Sequence, residues 1–264
     1  MLITFTAYIL IPVYTLLFVA GSDWFTTNFS VLGNIAGRNE AFVLWGLMVG
    51  IYFFVCLRKI FRRMPEKPAG TWLVPLALVL LDFAVTTPYL PEMFPLKAYL
   101  HIVFAFLAAA CLILCVFLTV LKLYQRDPRE YRPYLWGIGI IVAVSAFLFI
   151  LAGIVSSALE IFFTVSMTWM VYGLYKNMTA GDGVSSRPLT VQTACSLFHF
   201  SYHFIFSGGI RLLYHKMLEQ KNHLLKEIQN LQQLLASCPD GELICAKNGN
   251  YITYIHSRSG GGMS

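Results

Sequence analysis

Charged residues are scarce in this chain. They make up 12% of its 264 residues, whereas a soluble domain carries about 25%. Hydrophobic residues make up 58%, and the mean hydropathy is +0.67. They occur in blocks of about 20 residues, the length of helix that crosses roughly 30 Å of hydrocarbon. This composition excludes an ordinary soluble domain and predicts an all-α membrane protein.

Several sequence signatures of chemistry are also missing. The six cysteines form no CxxC pair and no zinc-type spacing, so no disulfide framework and no metal site is expected. There is no GxSxG and no glycine-rich phosphate loop after a strand, and no cofactor is expected. The net charge is +6, but the basic residues lie at the edges of the apolar blocks rather than on one face. Nucleic acid is therefore not an expected partner.

Six apolar blocks are long enough to cross a bilayer. The predicted spans are residues 2–20, 41–57, 71–90, 98–121, 134–153 and 155–174. No Lys or Arg precedes the first block, whereas a secretory signal peptide begins with positive charge. The first block is therefore predicted to be a membrane helix.

Basic residues predict the orientation of these spans. They are concentrated in "RKIFRRMPEKPAG" after span two and in "KLYQRDPREYRPY" after span four, whereas loop one contains only Arg38 and loop three only Lys97. Short loops rich in Lys and Arg stay in the cytoplasm. Both termini are therefore predicted to be cytoplasmic, and residues 22–42 and 88–97 are predicted to face outward.

The sequence changes character after Lys176, and four regions are predicted. They are a six-helix transmembrane domain at 1–176, a linker with an aromatic interfacial segment at 177–209, an amphipathic or coiled-coil helix at 210–236, and a β-hairpin-like tail at 237–264. Apolar residues of the third region follow heptad-like spacing, which suits a coiled-coil partner, self-association or packing on the same chain. Asn248-Gly249 in the fourth is a strong hairpin signal.

Three ionisable residues fall inside predicted spans: Asp82, His101 and Glu160. A charged group at the bilayer centre costs about 2.5–3.5 kcal/mol, so each is a functional candidate. By helix rise they lie roughly 12, 5 and 8 Å below the outer end of their spans. If they face the interior, they line one outward recess. The alternative is structural, because a buried carboxyl is often protonated and hydrogen-bonded, and a His near the interface is readily hydrated.

The first outward loop, "SDWFTTNFSVLGNIAGRNEAF", adds neutral groups to this hypothesis. Ser30 and Asn34 supply donors and acceptors, and Gly33 permits close backbone approach. We therefore predict that the loop covers a polar ligand site. The alternative for Ser30 and Asn34 is an ordinary turn or helix cap.

Residues 1–176 resemble the Frag1/DRAM/Sfk1 superfamily and its prokaryotic relatives of unknown function. The resemblance rests on "TTNFSVLGN", "TTPYLPEMFP", "LHIVFAFLAAA" and "ALEIFFTVSMTWMVYGLY". It implies roles in lipid remodelling, plasma-membrane lipid organisation and autophagy among eukaryotic relatives, with no securely assigned enzymatic activity. The positions in family-like motifs are Ser30, Gly33, Asn34, His101 and Glu160. Asp82 does not rest on the resemblance.

The tail resembles a different group. Residues 217–256 are similar to the start of an uncharacterised Firmicutes protein family, with a coiled segment and a strand containing "KNG". We hypothesise that residues 177–216 join the membrane protein to a truncated second reading frame, by natural fusion or by a frameshift.

These observations favour a bacterial inner-membrane protein that binds a lipid headgroup or another small polar ligand in an outward pocket, without catalysis. Three alternatives stay open. A lipid-modifying membrane enzyme requires the ionisable groups to converge on a reacting bond. A transporter or channel is expected to have broken helices or internal repeats, which the sequence does not display. A membrane anchor requires the cytoplasmic coil for its function.

Overall fold

The computed structural model describes residues 1–34, 37–180, 210–237, 242–247 and 250–255. The chain divides into two compact units, Met1–Ile210 and Arg211–Ser264. The described part of the first unit is helical. Its helices are α1 (Leu2–Phe18), α2 (Phe29–Asn34), α3 (Asn39–Arg63), α4 (Leu73–Thr86), α5 (Pro95–Tyr124), α6 (Pro128–Ala152) and α7 (Ser157–Ala180).

Four helices, α3, α5, α6 and α7, are long and apolar enough to cross a membrane. This confirms the prediction of a multi-pass, helical membrane protein. The blocks predicted at 2–20 and 71–90 form the shorter apolar helices α1 and α4. At 14 residues, α4 extends about 21 Å at the usual helical rise. It ends early because Pro88 disfavours helical backbone at the preceding residue.

Helix α7 is the most deeply buried of the four long apolar helices, and several hydrogen bonds join it to neighbouring helices. The Tyr52 hydroxyl of α3 donates to the Thr168 carbonyl over 2.9 Å, and the Tyr172 hydroxyl donates to Thr4 Oγ1 over 2.9 Å. The Trp169 indole N–H donates to the Ala7 carbonyl over 3.2 Å, within a π-helical turn of α1. These bonds hold α1 and α3 against α7.

Helices α3 and α4 approach each other through two glycines of α3. A Cβ atom on Gly46 would lie 2.6 Å from Val85 Cγ1, and one on Gly50 would lie 2.5 Å from Leu78 Cδ1. Because the glycines are four residues apart, they lie on one helix face. This is the small-xxx-small packing that lets membrane helices come close, and the α3–α4 pair depends on it.

Basic residues lie at the C-terminal ends of α3 and α5, which are the ends away from the first outward loop. Glu66, between α3 and α4, accepts a 2.7 Å ion-pair contact from Lys122, with Arg126 at 4.0 Å. The Lys122 hydrogen bond and the two positive charges lower the pKa of the Glu66 carboxyl. Lys59 Nζ lies 5.8 Å from the centre of the Tyr175 ring. We call this the basic end of the bundle.

The second unit contains α8 (Ile210–Ser237), β1 (Glu242–Lys247) and β2 (Asn250–Ile255). The strands pair antiparallel, with Lys247 opposite Asn250. The turn expected at residues 248–249 lies outside the described residues, as do the aromatic segment 195–206 and the linker beyond residue 180. Apolar side chains on α8 are exposed, among them Leu224, Ile228 and Leu231. A coiled-coil partner for this helix stays a prediction.

Candidate functional site

The described part of loop one contains the short helix α2. The helix begins after Asn28, whose side-chain Oδ1 accepts the Val31 N–H over 2.7 Å, as expected of an N-cap residue. The Asn34 amide donates to the Ser30 carbonyl over 2.9 Å. Asn34 therefore closes the last turn of α2 in the structure, which is the local role that its position also suggested from sequence.

Helix α2 is buried among the ends of the longer helices. Phe29 is fully buried, and its ring centre lies 5.2 Å from that of Phe18 and 4.8 Å from that of Trp45. Gly33 packs against Phe42 so closely that a Cβ atom there would lie 2.9 Å from Phe42 Cβ. Loop one is therefore a packed part of the bundle rather than a simple connector.

Loop one also completes the hydrogen bonding of the α7 N-terminus. The N–H groups of Ser157 and Ala158 donate to the carbonyls of Thr27 and Trp24, each over 2.7 Å. The first N–H groups of a helix have no partner within that helix, and burying them unpaired is costly. This pairing explains in structural terms why so apolar a chain keeps a polar loop here.

The Glu160 side chain of α7 also contacts α2, and here α7 supplies the acceptor and α2 the donor. Its Oε2 atom accepts the backbone N–H of Phe29 over 2.7 Å, and the carboxyl is partly buried. That N–H is one of the unpaired donors at the start of α2. Glu160 thus fixes the first turn of α2 and with it the position of the next residue, Ser30.

Ser30 forms a buried hydrogen-bonded pair with His101 of α5. The Ser30 Oγ–His101 Nε2 distance is 2.5 Å, and His101 Nδ1 lies 3.0 Å from the Thr87 carbonyl oxygen. Only 7% of Ser30 and 3% of His101 is exposed. A carbonyl oxygen only accepts hydrogen bonds, so Nδ1 carries the proton that points at Thr87. In the neutral ring Nε2 is then an acceptor, and the Ser30 hydroxyl donates to it.

The Thr87 carbonyl is available to accept this bond because α4 ends at Thr86 and Thr87 has extended backbone, with ψ of 120°, as is usual for a residue before proline. A helical carbonyl accepts the N–H four residues later, and for Ala84 that residue is Pro88, which has no N–H. The Ala84 carbonyl also interacts with the His101 imidazole. The "TTPYLP" segment thus presents acceptors to His101.

Aromatic and apolar side chains surround the pair. Ring centres of Tyr89 and Phe42 lie 5.5 Å and 6.2 Å from that of His101. The segment that leads into α5 exposes large apolar side chains, namely Met93, Phe94, Leu96, Tyr99 and Leu100. The buried polar pair therefore lies beside a surface suited to hydrocarbon.

The structure brings together five of the six residues predicted from sequence. Ser30, Gly33 and Asn34 lie on α2, Ser30 contacts His101, and Glu160 contacts the α2 backbone. Asp82 is not part of this group. Its side chain is exposed on α4, so the expectation that it faces the interior beside the other two ionisable residues is wrong.

The polar groups of the site are a hydroxyl, an imidazole and a carboxyl held close to α2. Within the described part of the chain, no three His, Cys, Asp or Glu residues form a group able to hold a metal ion. The backbone partners, the Thr87 carbonyl and the Phe29 N–H, were not foreseen from sequence, although Pro88 was a signal that α4 ends at this point. Comparisons of this chain with protein-family models, curated protein sequences and solved structures give no match.

Proposed function

We propose that this protein binds the polar headgroup of a membrane lipid at the site formed by Ser30, His101 and Glu160. The observation that supports this most directly is the buried Ser30–His101 pair. Their hydrogen bonds offset the cost of burying these polar groups among apolar helix ends, and a headgroup that takes over those hydrogen bonds can bind there. Glu160 holds the α2 turn that presents Ser30.

A lipid suits this position better than a water-soluble ligand. On the side of His101 that lies deeper in the proposed bilayer, α5 exposes Phe106 and Leu107. Acyl chains lying on these side chains would place a headgroup at the level of His101. Acyl chains already lie in hydrocarbon, so this apolar border contributes packing rather than a hydrophobic gain. It orients the lipid, and the polar pair supplies specificity. Under this proposal the resemblance to the Frag1/DRAM/Sfk1 superfamily reflects a shared role in lipid organisation.

The proposal includes six membrane crossings, with both termini in the cytoplasm. Arg38 donates to the Phe18 carbonyl over 2.7 Å, which brings the end of α1 to loop one, and Thr87 brings the end of α4 to the same site. Six helices that alternate in direction account for these contacts, and the basic end then faces the cytoplasm.

A reporter experiment tests this topology. Alkaline phosphatase, which is active only outside the bacterial cytoplasm, is fused after Lys67 or after Glu92. We expect activity from the second fusion and none from the first, with green fluorescent protein giving the reverse pattern. Activity at Lys67 or fluorescence at Glu92 would contradict the proposed orientation.

The binding proposal is tested by identifying the lipids that copurify with the protein. Native mass spectrometry is applied to the wild type, Ser30→Ala and Glu160→Ala, with Asp82→Asn as the matched control because Asp82 is exposed away from the site. We expect one class of bound lipid in the wild type and in Asp82→Asn, and at least a tenfold lower occupancy in the other two, as for the loss of about 1.4 kcal/mol. The same bound species at the same occupancy in all four proteins would defeat the proposal.

A further inference from the structure

We propose that Ser30 is a nucleophile, with His101 as its general base, for attack on the acyl ester of a membrane lipid. This inference rests on the proposed headgroup site and adds a reaction to it. The supporting observation is a hydrogen-bonded series of three groups, the Ser30 hydroxyl, the His101 imidazole and the Thr87 carbonyl.

The first contact of this series is the one that a serine nucleophile requires. A hydroxyl is a weak nucleophile, and an adjacent base activates it by accepting its proton as the oxygen attacks. The Ser30 Oγ–His101 Nε2 distance of 2.5 Å lies within hydrogen-bond reach. The tautomer set by Thr87 leaves the Nε2 lone pair directed to that hydroxyl.

The second contact orients the base. In serine hydrolases a third group accepts the Nδ1–H and fixes both the tautomer and the ring orientation. Here the acceptor is the Thr87 carbonyl at 3.0 Å, which follows the end of α4. A neutral carbonyl stabilises the imidazolium less than a carboxylate does, so the arrangement suits a slow acyl transfer.

The reaction balances with groups already named. Ser30 Oγ bonds to the ester carbonyl carbon while its proton moves to His101 Nε2. The bond from that carbon to the lipid alkoxy oxygen then breaks, and the leaving oxygen takes the proton from Nε2. The products are acyl-Ser30 and a lipid alcohol. Water or another hydroxyl group attacks the acyl-Ser30 in the same way and restores Ser30.

The surroundings select the substrate class. Beyond His101, on the side deeper in the proposed bilayer, α5 exposes the apolar side chains Phe106 and Leu107, so a substrate reaches His101 with its hydrocarbon on that surface. The near-complete burial of Ser30 and His101 limits access of bulk water to the ester. A long-chain acyl ester fits both conditions, whereas a small water-soluble ester lacks the apolar contact.

A long-chain alkyl fluorophosphonate tests the proposal on the full chain in detergent or nanodiscs. This probe phosphonylates activated serines, and peptide mass spectrometry identifies the modified residue. We expect the adduct on Ser30 in the wild type, none in Ser30→Ala, and labelling roughly 100-fold slower in His101→Gln, the loss typical of a removed general base. The matched control is Ser166→Ala, which removes a buried hydroxyl of α7 instead of the α2 hydroxyl. It is expected to label like the wild type.

Absence of the Ser30 adduct in the wild type would overturn the proposal, and this outcome needs no variant to fold. Equal labelling rates in the wild type and in folded His101→Gln would overturn it as well. Bound lipid in native spectra without an adduct leaves the headgroup site in place and removes only the nucleophile. An adduct without any specific bound lipid removes the proposed binding function and retains a reactive serine.

Discussion

Replacing His101 with alanine is expected to destabilise the membrane domain by about 3 kcal/mol. The substitution removes the acceptor of the Ser30 hydroxyl and the donor to the Thr87 carbonyl. Both groups stay buried or partly buried, and an unsatisfied buried group costs about 1–3 kcal/mol. The lost ring also leaves a void between Phe42 and Tyr89. Chemical denaturation of the detergent-solubilised protein measures the change in the free energy of unfolding.

The neighbouring residue Ile102 provides the matched control. Its side chain is exposed on the same turn of α5, so Ile102→Ala is expected to change the free energy of unfolding by under about 0.5 kcal/mol. A double-mutant cycle of His101→Ala with Ser30→Ala should show a coupling of about 1 kcal/mol, because the residues share one hydrogen bond. Equal effects of the two alanine substitutions on α5, or additive effects in the cycle, would contradict the buried pair.

The sequence predicted how deep the ionisable residues lie along their helices better than which helix face they occupy. The apolar blocks placed His101 and Glu160 near the ends of their helices, where both meet loop one. Asp82 fails because depth does not specify which face of α4 it occupies. At 3.6 residues per turn it lies about 140° around the helix from Ala77 and about 200° from Ala84, and both alanines are buried. The two small residues, seven apart, were the available signal for the packed face.

The sequence did not predict which backbone groups form hydrogen bonds between distant segments. Nothing in the identity of Trp24 or Thr27 indicates that their carbonyls accept N–H groups of α7, because every residue carries the same carbonyl. The need itself was predictable, since a helix N-terminus near the bilayer requires acceptors. Which segment meets the need depends on the tertiary fold. Ser30, Gly33 and Asn34 lie together on α2, and their role in ligand binding stays a prediction.

The close approach of α3 and α4 predicts the second large effect, that of Gly46→Leu. A Cβ atom at Gly46 already falls 2.6 Å from Val85 Cγ1, and leucine adds three further carbon atoms in the same direction. Overpacking a well-packed contact costs about 1–3 kcal/mol, and we expect about 3 kcal/mol because two whole helices must separate. Chemical denaturation and size-exclusion chromatography in detergent measure the loss of stability and compactness.

Gly139→Leu separates this steric effect from helix propensity. Gly139 lies in α6 with nothing within 4 Å of a Cβ atom built on it. Glycine costs a helix about 1 kcal/mol relative to good helix formers, so both substitutions carry the same favourable contribution from propensity. The control is therefore expected to be neutral or slightly stabilised. Because α4 also packs against α5, displacing α4 from α3 also shifts α5 and its His101 relative to Ser30. Gly46→Leu should consequently weaken the Ser30–His101 site along with the helix pair, and a destabilised Gly46→Leu protein with unchanged lipid occupancy would show that α4 does not position the site.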